Sequence, residues 1–244
     1  MSEAPQHIVK SFSQELQRLR DLLAEMGGIV ESQLALATQA IVGQDPDMAT
    51  RAVQQDSAVD TLERQVEQLV MRMLALRQPM ASDLRQIVAA LKISAGLERI
   101  GDYAKNVAKR SIVLTQFALP FSLTGLGSMA RLAQENLRLV IDAVGENDPD
   151  KAVQVWRSDQ GIDDLYNSIF RELITYMMED ARSITPCTHL LFIAKNLERI
   201  GDHATNIAET VYYAATGTVL TDERPRGGDG GAFAAVRPKE ASAE

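Results

Sequence analysis

The chain is poor in cysteine, in aromatic residues and in clustered positive charge. Its 244 residues include one cysteine, Cys187, so no intramolecular disulfide forms and no CxxC redox or metal motif exists. A reducing, cytoplasmic location is expected. Aromatic residues make up 5% of a chain that is 45% hydrophobic. The core is therefore built from Leu, Ile, Val, Ala and Met, which favours helices over strands. Net charge is −8, with no basic block in the part expected to fold; phosphate neutralisation needs clustered Lys and Arg, so nucleic acid is not an expected partner. No apolar run approaches the roughly 18 residues that span a bilayer, and the first residues lack a signal-peptide core, so no direct membrane insertion is expected. Neither GxGxxG nor a P-loop occurs. None of His7, His189 or His203 has Glu three residues before it, as a ferritin-like di-metal site requires. Cys187 and His189 stand two apart and do not face each other on a helix. No catalytic set emerges, and a non-enzymatic protein is expected.

What the chain does contain is a duplication. Leu97–Lys109 reads LERIGDYAKNVAK and Leu197–Glu209 reads LERIGDHATNIAE, identical at nine of thirteen positions. Upstream, Asp45-Pro46-Asp47 is answered by Asp148-Pro149-Asp150, and Asp56/Asp60 by Asp159/Asp163, each at an offset of 103. Six long helices are expected. The first spans 8–42; Asp45 caps a second over 46–77, with Pro46 in its first turn, where no amide hydrogen is needed. Val59, Leu62, Val66, Leu69, Met73 and Leu76 form its seam. Ser82 is expected to cap a third helix reaching 116. The fourth (129–146), the fifth (149–180) and the sixth (opened by Thr185-Pro186, ending near 215) repeat the pattern. The expected fold is all-α: two tandem homologous three-helix bundles of antiparallel helices, over 1–117 and 129–217. Pro120, Gly125 and Gly127 mark a linker over 118–128, and the Gly, Pro and charge of 218–244 mark a disordered tail. Met71, Met73, Met177 and Met178 are expected as core filler.

The duplicated segments preserve acids. Glu98, Asp102 and Asn106 stand at i, i+4 and i+8 on one helix face, and Glu198, Asp202 and Asn206 repeat them. Ile93, Ile100 and Val107 lie roughly 200° away, as do Ile193, Ile200 and Ile207, so the isoleucines should enter the core while the acids face outward or into a groove. Asp56/Asp60 and Asp159/Asp163 form i, i+4 pairs on the preceding helices. If those helices are neighbours, four carboxylates converge in each half. Such a hard, oxygen-rich set suits Mg²⁺, Mn²⁺ or iron. Salt bridges are the competing account: Arg99, Arg199 and Lys105 lie within reach, but Thr205 replaces Lys105 in the second half. Gly101 and Gly201 mark either close helix packing or room for a ligand. His203, whose counterpart is Tyr103, is assigned a surface or packing role.

The chain resembles the PhoU family of phosphate-transport regulators. The resemblance runs through MGGIVESQL at 26–34, RQPMASDLR at 77–85, both copies of LERIGD, and TYMMEDARSI at 175–184. It implies two homologous three-helix bundles, a homodimer, and a cytoplasmic negative regulator of phosphate uptake and phosphate-starvation signalling. The implied partners are the ATPase subunit of the phosphate ABC transporter and a membrane sensor histidine kinase. It also implies metal held through paired E/DxxxD motifs, here Glu98/Asp102, Glu198/Asp202, Asp56/Asp60 and Asp159/Asp163. Glu31 corresponds to Gln134, so the halves need not bind equally. A metal-dependent hydrolase with a multinuclear carboxylate site and a metal-free helical scaffold are the alternatives.

Overall fold

The computed structural model describes residues 4–117 and 122–220, with backbone alone for 4–10. Residues 118–121 of the expected linker and 221–244 of the expected tail lie outside the described residues. The described residues form seven α-helices and one 3₁₀ turn: α1 (Ala4–Gly43), α2 (Pro46–Gln54), α3 (Asp56–Arg77), α4 (Ala81–Leu114), α5 (Thr124–Glu146), α6 (Pro149–Glu179), the turn Ala181–Ser183, and α7 (Ile184–Thr216). Helices α1, α2–α3 and α4 make the first bundle; α5, α6 and α7 make the second. None of the helices is long and apolar enough to cross a membrane.

The helix starts show how local chemistry sets the boundaries. Asp45 Oδ1 accepts from the amides of Asp47 (2.9 Å) and Met48 (3.2 Å), and Asp148 Oδ1 accepts from Asp150 (2.8 Å) and Lys151 (3.2 Å). Each aspartate satisfies two of the orphan donors at its helix start, and Pro46 or Pro149 follows as the first helical residue. Ser82 does not cap α4; the cap position lies two residues earlier, at Met80, with no side-chain cap. The fourth expected helix starts at Thr124 rather than Met129: the Ser122 hydroxyl accepts the Thr124 amide (3.2 Å), and Gly125 and Gly127 are helical.

The second expected helix is divided at Gln55. That residue keeps right-handed geometry (φ −71°, ψ −19°), and Ala58 N donates to its carbonyl at 3.1 Å, a tightened three-residue turn. The Gln55 amide also donates to Ser32 Oγ on α1 (3.1 Å), fixing the bend against that helix. Its counterpart Ser158 returns its hydroxyl to the Val155 carbonyl (2.8 Å), and α6 continues unbroken.

One hydrophobic cluster runs through both halves. Ile93, Ile100, Val107, Ile193, Ile200 and Ile207 are all buried. The α3 seam runs through Val59, Leu62, Val66, Val70 and Met73, whereas Leu76, Met71 and Met178 are exposed and are not core filler. Across the boundary between halves, α4 meets α7. Gly96 lies against Ile207, Tyr103 against His203 (ring centroids 5.6 Å apart), and Arg110 beside His189 (3.3 Å). Numbers rise along one helix as they fall along the other, so α4 and α7 are antiparallel. Tyr103 meets its own counterpart, which places the approximate two-fold axis of the duplication at that pair.

Glycine packing makes a direct prediction. A Cβ on Gly201 would stand 2.7 Å from Ile162 Cδ1, and Ile162, 1% exposed, has only packed core to retreat into. Gly28 has nothing within 4 Å of a built Cβ. Gly201→Ala should be destabilising by roughly 1–3 kcal/mol of overpacking, offset by up to ~1 kcal/mol of helix propensity. Gly28→Ala should gain that propensity alone. Thermal melts should therefore move in opposite directions, at roughly 2–4 °C per kcal/mol for a chain of this size.

Candidate functional site

The acids do converge on the seams α3–α4 and α6–α7, but the two halves settle the charge differently. In the first half the Lys105 ammonium lies between Asp56 Oδ2 (2.8 Å) and Asp102 Oδ1 (2.6 Å), with all three side chains mostly buried. Burial works against its charge, yet the hydrogen bonds to Asp102 and Asp56 outweigh that and raise the ammonium above its ordinary pKa. Glu98 stands one turn before Asp102, with the Arg99 guanidinium 3.7 Å away. Burial, then the neighbouring charges of Asp102 and Glu63, push the Glu98 carboxyl up to about 7. Asp60 is half-buried near Glu63, whose carboxyl is raised by burial, Glu67 and Asp60.

In the second half the residue in the place of Lys105 is Thr205, fully buried. Its hydroxyl reaches Asp159 Oδ1 at 3.1 Å and the Gly201 carbonyl at 3.0 Å. Asp159 is 3% exposed: the close approach at Gly201 draws it deep into the α6–α7 seam. Glu198 Oε1 accepts from Lys195 (2.6 Å), while Glu198 Oε2 is buried with no protein hydrogen-bond partner. Burial raises the Glu198 carboxyl; Lys195 opposes this, and Asp202 and Asp163 add to it. Asn106 and Asn206 are exposed.

A second polar layer lies beneath the acids. Gln33 is fully buried, both polar atoms of its side chain lack a protein partner, and its Oε1 would be 3.1 Å from a Cβ on Gly101. Its counterpart Asn136 is also buried and accepts from Ser158 Oγ at 2.8 Å, leaving Nδ2 unpartnered. Sequence reasoning passed over both amides, although the offset of 103 that relates Pro46 to Pro149 also relates Gln33 to Asn136.

The profile of the PhoU domain matches residues 23–111 and 126–211, one match per bundle. The chain belongs to the PhoU family. It is 50% identical over 222 residues to the "Phosphate-specific transport system accessory protein PhoU homolog" of Caulobacter vibrioides, covering 91% of this chain and 96% of that one. It is 40% identical over 224 residues to the PhoU of Escherichia coli, covering 91% of each. The crystal structure of PhoU from Pseudomonas aeruginosa superposes with a TM-score of 0.83 at 39% identity, over 85% of this chain and all of that one. That of the phosphate transport system regulatory protein PhoU from Streptococcus pneumoniae gives 0.78 at 29%, over 86% and 99%.

The metal that PhoU membership implies can be tested against these residues. In the first half the Lys105 ammonium already stands between Asp56 and Asp102, so that pair does not fit a cation. In the second half the donor chemistry fits better: a buried Glu198 oxygen without a protein partner, with Asp163 and Asp202 adding negative charge beside it. Among the described residues no three His, Cys, Asp or Glu side chains are gathered closely enough to hold an ion, so side chains of this PhoU-type seam would have to close on one.

Because its folded-state pKa lies above the usual carboxylate value, Glu98 contributes stability below about pH 4.5 and loses it as pH rises through about 7. In chelator, Glu98→Gln should therefore raise the melting temperature at pH 8 and leave it nearly unchanged at pH 5. Equal shifts at both pH values would show that Glu98 is not held neutral by its surroundings.

Proposed function

We propose that this chain is an accessory regulator of phosphate transport that restrains phosphate uptake and phosphate-starvation signalling. It does so by binding two partners, the ATPase subunit of the phosphate ABC transporter and a membrane sensor histidine kinase. The observation that carries this reading is the double PhoU-domain match, together with a relative named as a phosphate-specific transport system accessory protein at 50% identity over 91% of the chain. The protein acts in the cytoplasm, as a homodimer and without catalysis of its own. Except for the buried Asp159, the acids stay partly exposed along the helix seams, which supports contact with a basic segment of a partner.

In the second half Asp163, Glu198 and Asp202 are the residues that would hold a hard cation such as Mg²⁺, Mn²⁺ or iron. When bound, the ion would offset their mutual repulsion and offer open coordination positions to a phosphate or a partner carboxylate. Lys105 favours a second reading for the first half, that of a metal-free scaffold.

The deciding measurement is a pull-down from phosphate-replete cells. Wild type should retain the transporter ATPase and the kinase, whereas a Glu98, Asp102, Glu198 and Asp202→Ala variant should retain roughly tenfold less of one or both, as loss of about 1.4 kcal/mol predicts. Recovery of neither partner by wild type would overturn the regulatory reading.

A further inference from the structure

The duplication kept Asp56/Asp102 in one half and Asp159/Asp202 in the other, and changed the residue between them. In the first half Lys105 contributes an ammonium hydrogen-bonded to both carboxylates, one on α3 and one on α4. In the second half the same helical position carries Thr205, whose hydroxyl brings a hydrogen bond to Asp159 but no charge. We propose that Lys105 is a tethered counter-ion that takes the place of a metal ion, making the α3–α4 seam independent of metal and confining any metal response to the second half.

Three features of the seam support this. Lys105 Nζ stands within direct contact of both carboxylates, and a second cation between them would meet it at like charge. The lysine is only 20% exposed, so the pair is weakly screened and the ammonium does not drift into solvent. The two acids belong to different helices, so the ammonium does what a bridging ion does: it ties α3 to α4 across the seam. A covalently attached cation is always present, whereas a bound ion responds to its concentration. The first half then holds one conformation at every metal level, while the second remains open to change.

The proposal rests on the metal reading of the family fold, but its test is separable from that reading. The full chain, stripped with chelator, is titrated with Mn²⁺ by calorimetry and melted with and without Mn²⁺. In wild type, Asp56→Asn with Asp102→Asn should leave Mn²⁺ stoichiometry unchanged. Lys105→Thr, which copies the second half, should bind about one further Mn²⁺ per chain, and Mn²⁺ should raise its melting temperature more than it raises that of wild type. Lys105→Gln, a milder change that keeps an amide donor, provides the same reading if the threonine variant folds poorly. The inference is overturned if the Asp56→Asn, Asp102→Asn variant loses a Mn²⁺ that wild type binds, or if both Lys105 variants fold and gain none. Asp163→Asn with Asp202→Asn reports the second half independently. Should wild type bind no Mn²⁺ at all, the second-half metal reading fails, and the Lys105 variants still decide this one.

Discussion

Everything distinctive about the two seams depends on how closely a helix lies against Gly101 and Gly201. At Gly101 the neighbours are Gln33 Oε1 on α1 and Val59 on α3; at Gly201 they are Ile162 and Asp159 on α6. A Cβ on Gly201 would stand 2.7 Å from Ile162 Cδ1 and press on α6, whereas one on Gly101 would crowd the Gln33 amide at 3.1 Å and touch Val59 at 3.5 Å. Without one, α3 comes near enough for Asp56 to share Lys105 with Asp102, and α6 near enough for Asp159 to be buried against Thr205. A glycine inside a helix costs roughly 1 kcal/mol of propensity, and both halves sustain that cost at the residue immediately before an aspartate. Close packing and carboxylate convergence are therefore one feature. The same approach that seals the core brings like charges together, and each half must then supply something to neutralise them.

The two solutions differ in kind. A lysine brings full positive charge on a flexible stem, and its hydrogen bonds to two carboxylates are charge-assisted and strong. A threonine brings one hydroxyl, and it divides that hydroxyl between Asp159 and the Gly201 carbonyl. What the second half gains from Thr205 is depth, since Asp159 is nearly fully buried while Asp56 remains partly exposed. What it lacks is a cation at the position of Lys105, and Glu198 keeps one buried oxygen without a protein hydrogen-bond partner. Burial of a polar atom without a partner is unfavourable, so the second seam is the one with more to gain from a ligand, a water or a partner's donor.

Much of this was legible in the sequence wherever the signal was local or periodic. The Asp-Pro caps need only the two or three residues that follow them, and the isoleucine stripes need only helical spacing; the structure bears out both. Features set by a neighbouring helix were not. Gln55 breaks the second helix where its side chain reaches Ser32, a contact twenty-three residues away, and no local propensity distinguishes it from Ser158, where α6 runs on. Gly125 and Gly127 read as linker because glycine usually marks one, yet in the fold they pack close to Ile169 and Val42. The depth of Asp159 is not legible either, because the angle on a helical wheel reports direction and not how near the next helix comes. Gln33 and Asn136 are silent for the opposite reason: a lone amide on an apolar face carries no pattern until its counterpart is aligned with it.

The antiparallel meeting of α4 and α7 connects these local differences to the whole molecule. Because Tyr103 faces His203, the residues beside them, Asp102 and Asp202, lie close to the axis that relates the halves. The Arg199 guanidinium stands 5.7 Å from the centre of the Tyr103 ring, so the motif of one half packs on the motif of the other. On the far side, Gln134 of α5 donates to Thr38 of α1 at 2.7 Å, and Gln33 and Asn136 lie at the middle of that contact. The unsatisfied amides and the acid seams thus share the central layer, while exposed apolar side chains such as Met80 and Met178 lie at the opposite tips. A change in charge at one seam acts on the helix that also forms the boundary between halves.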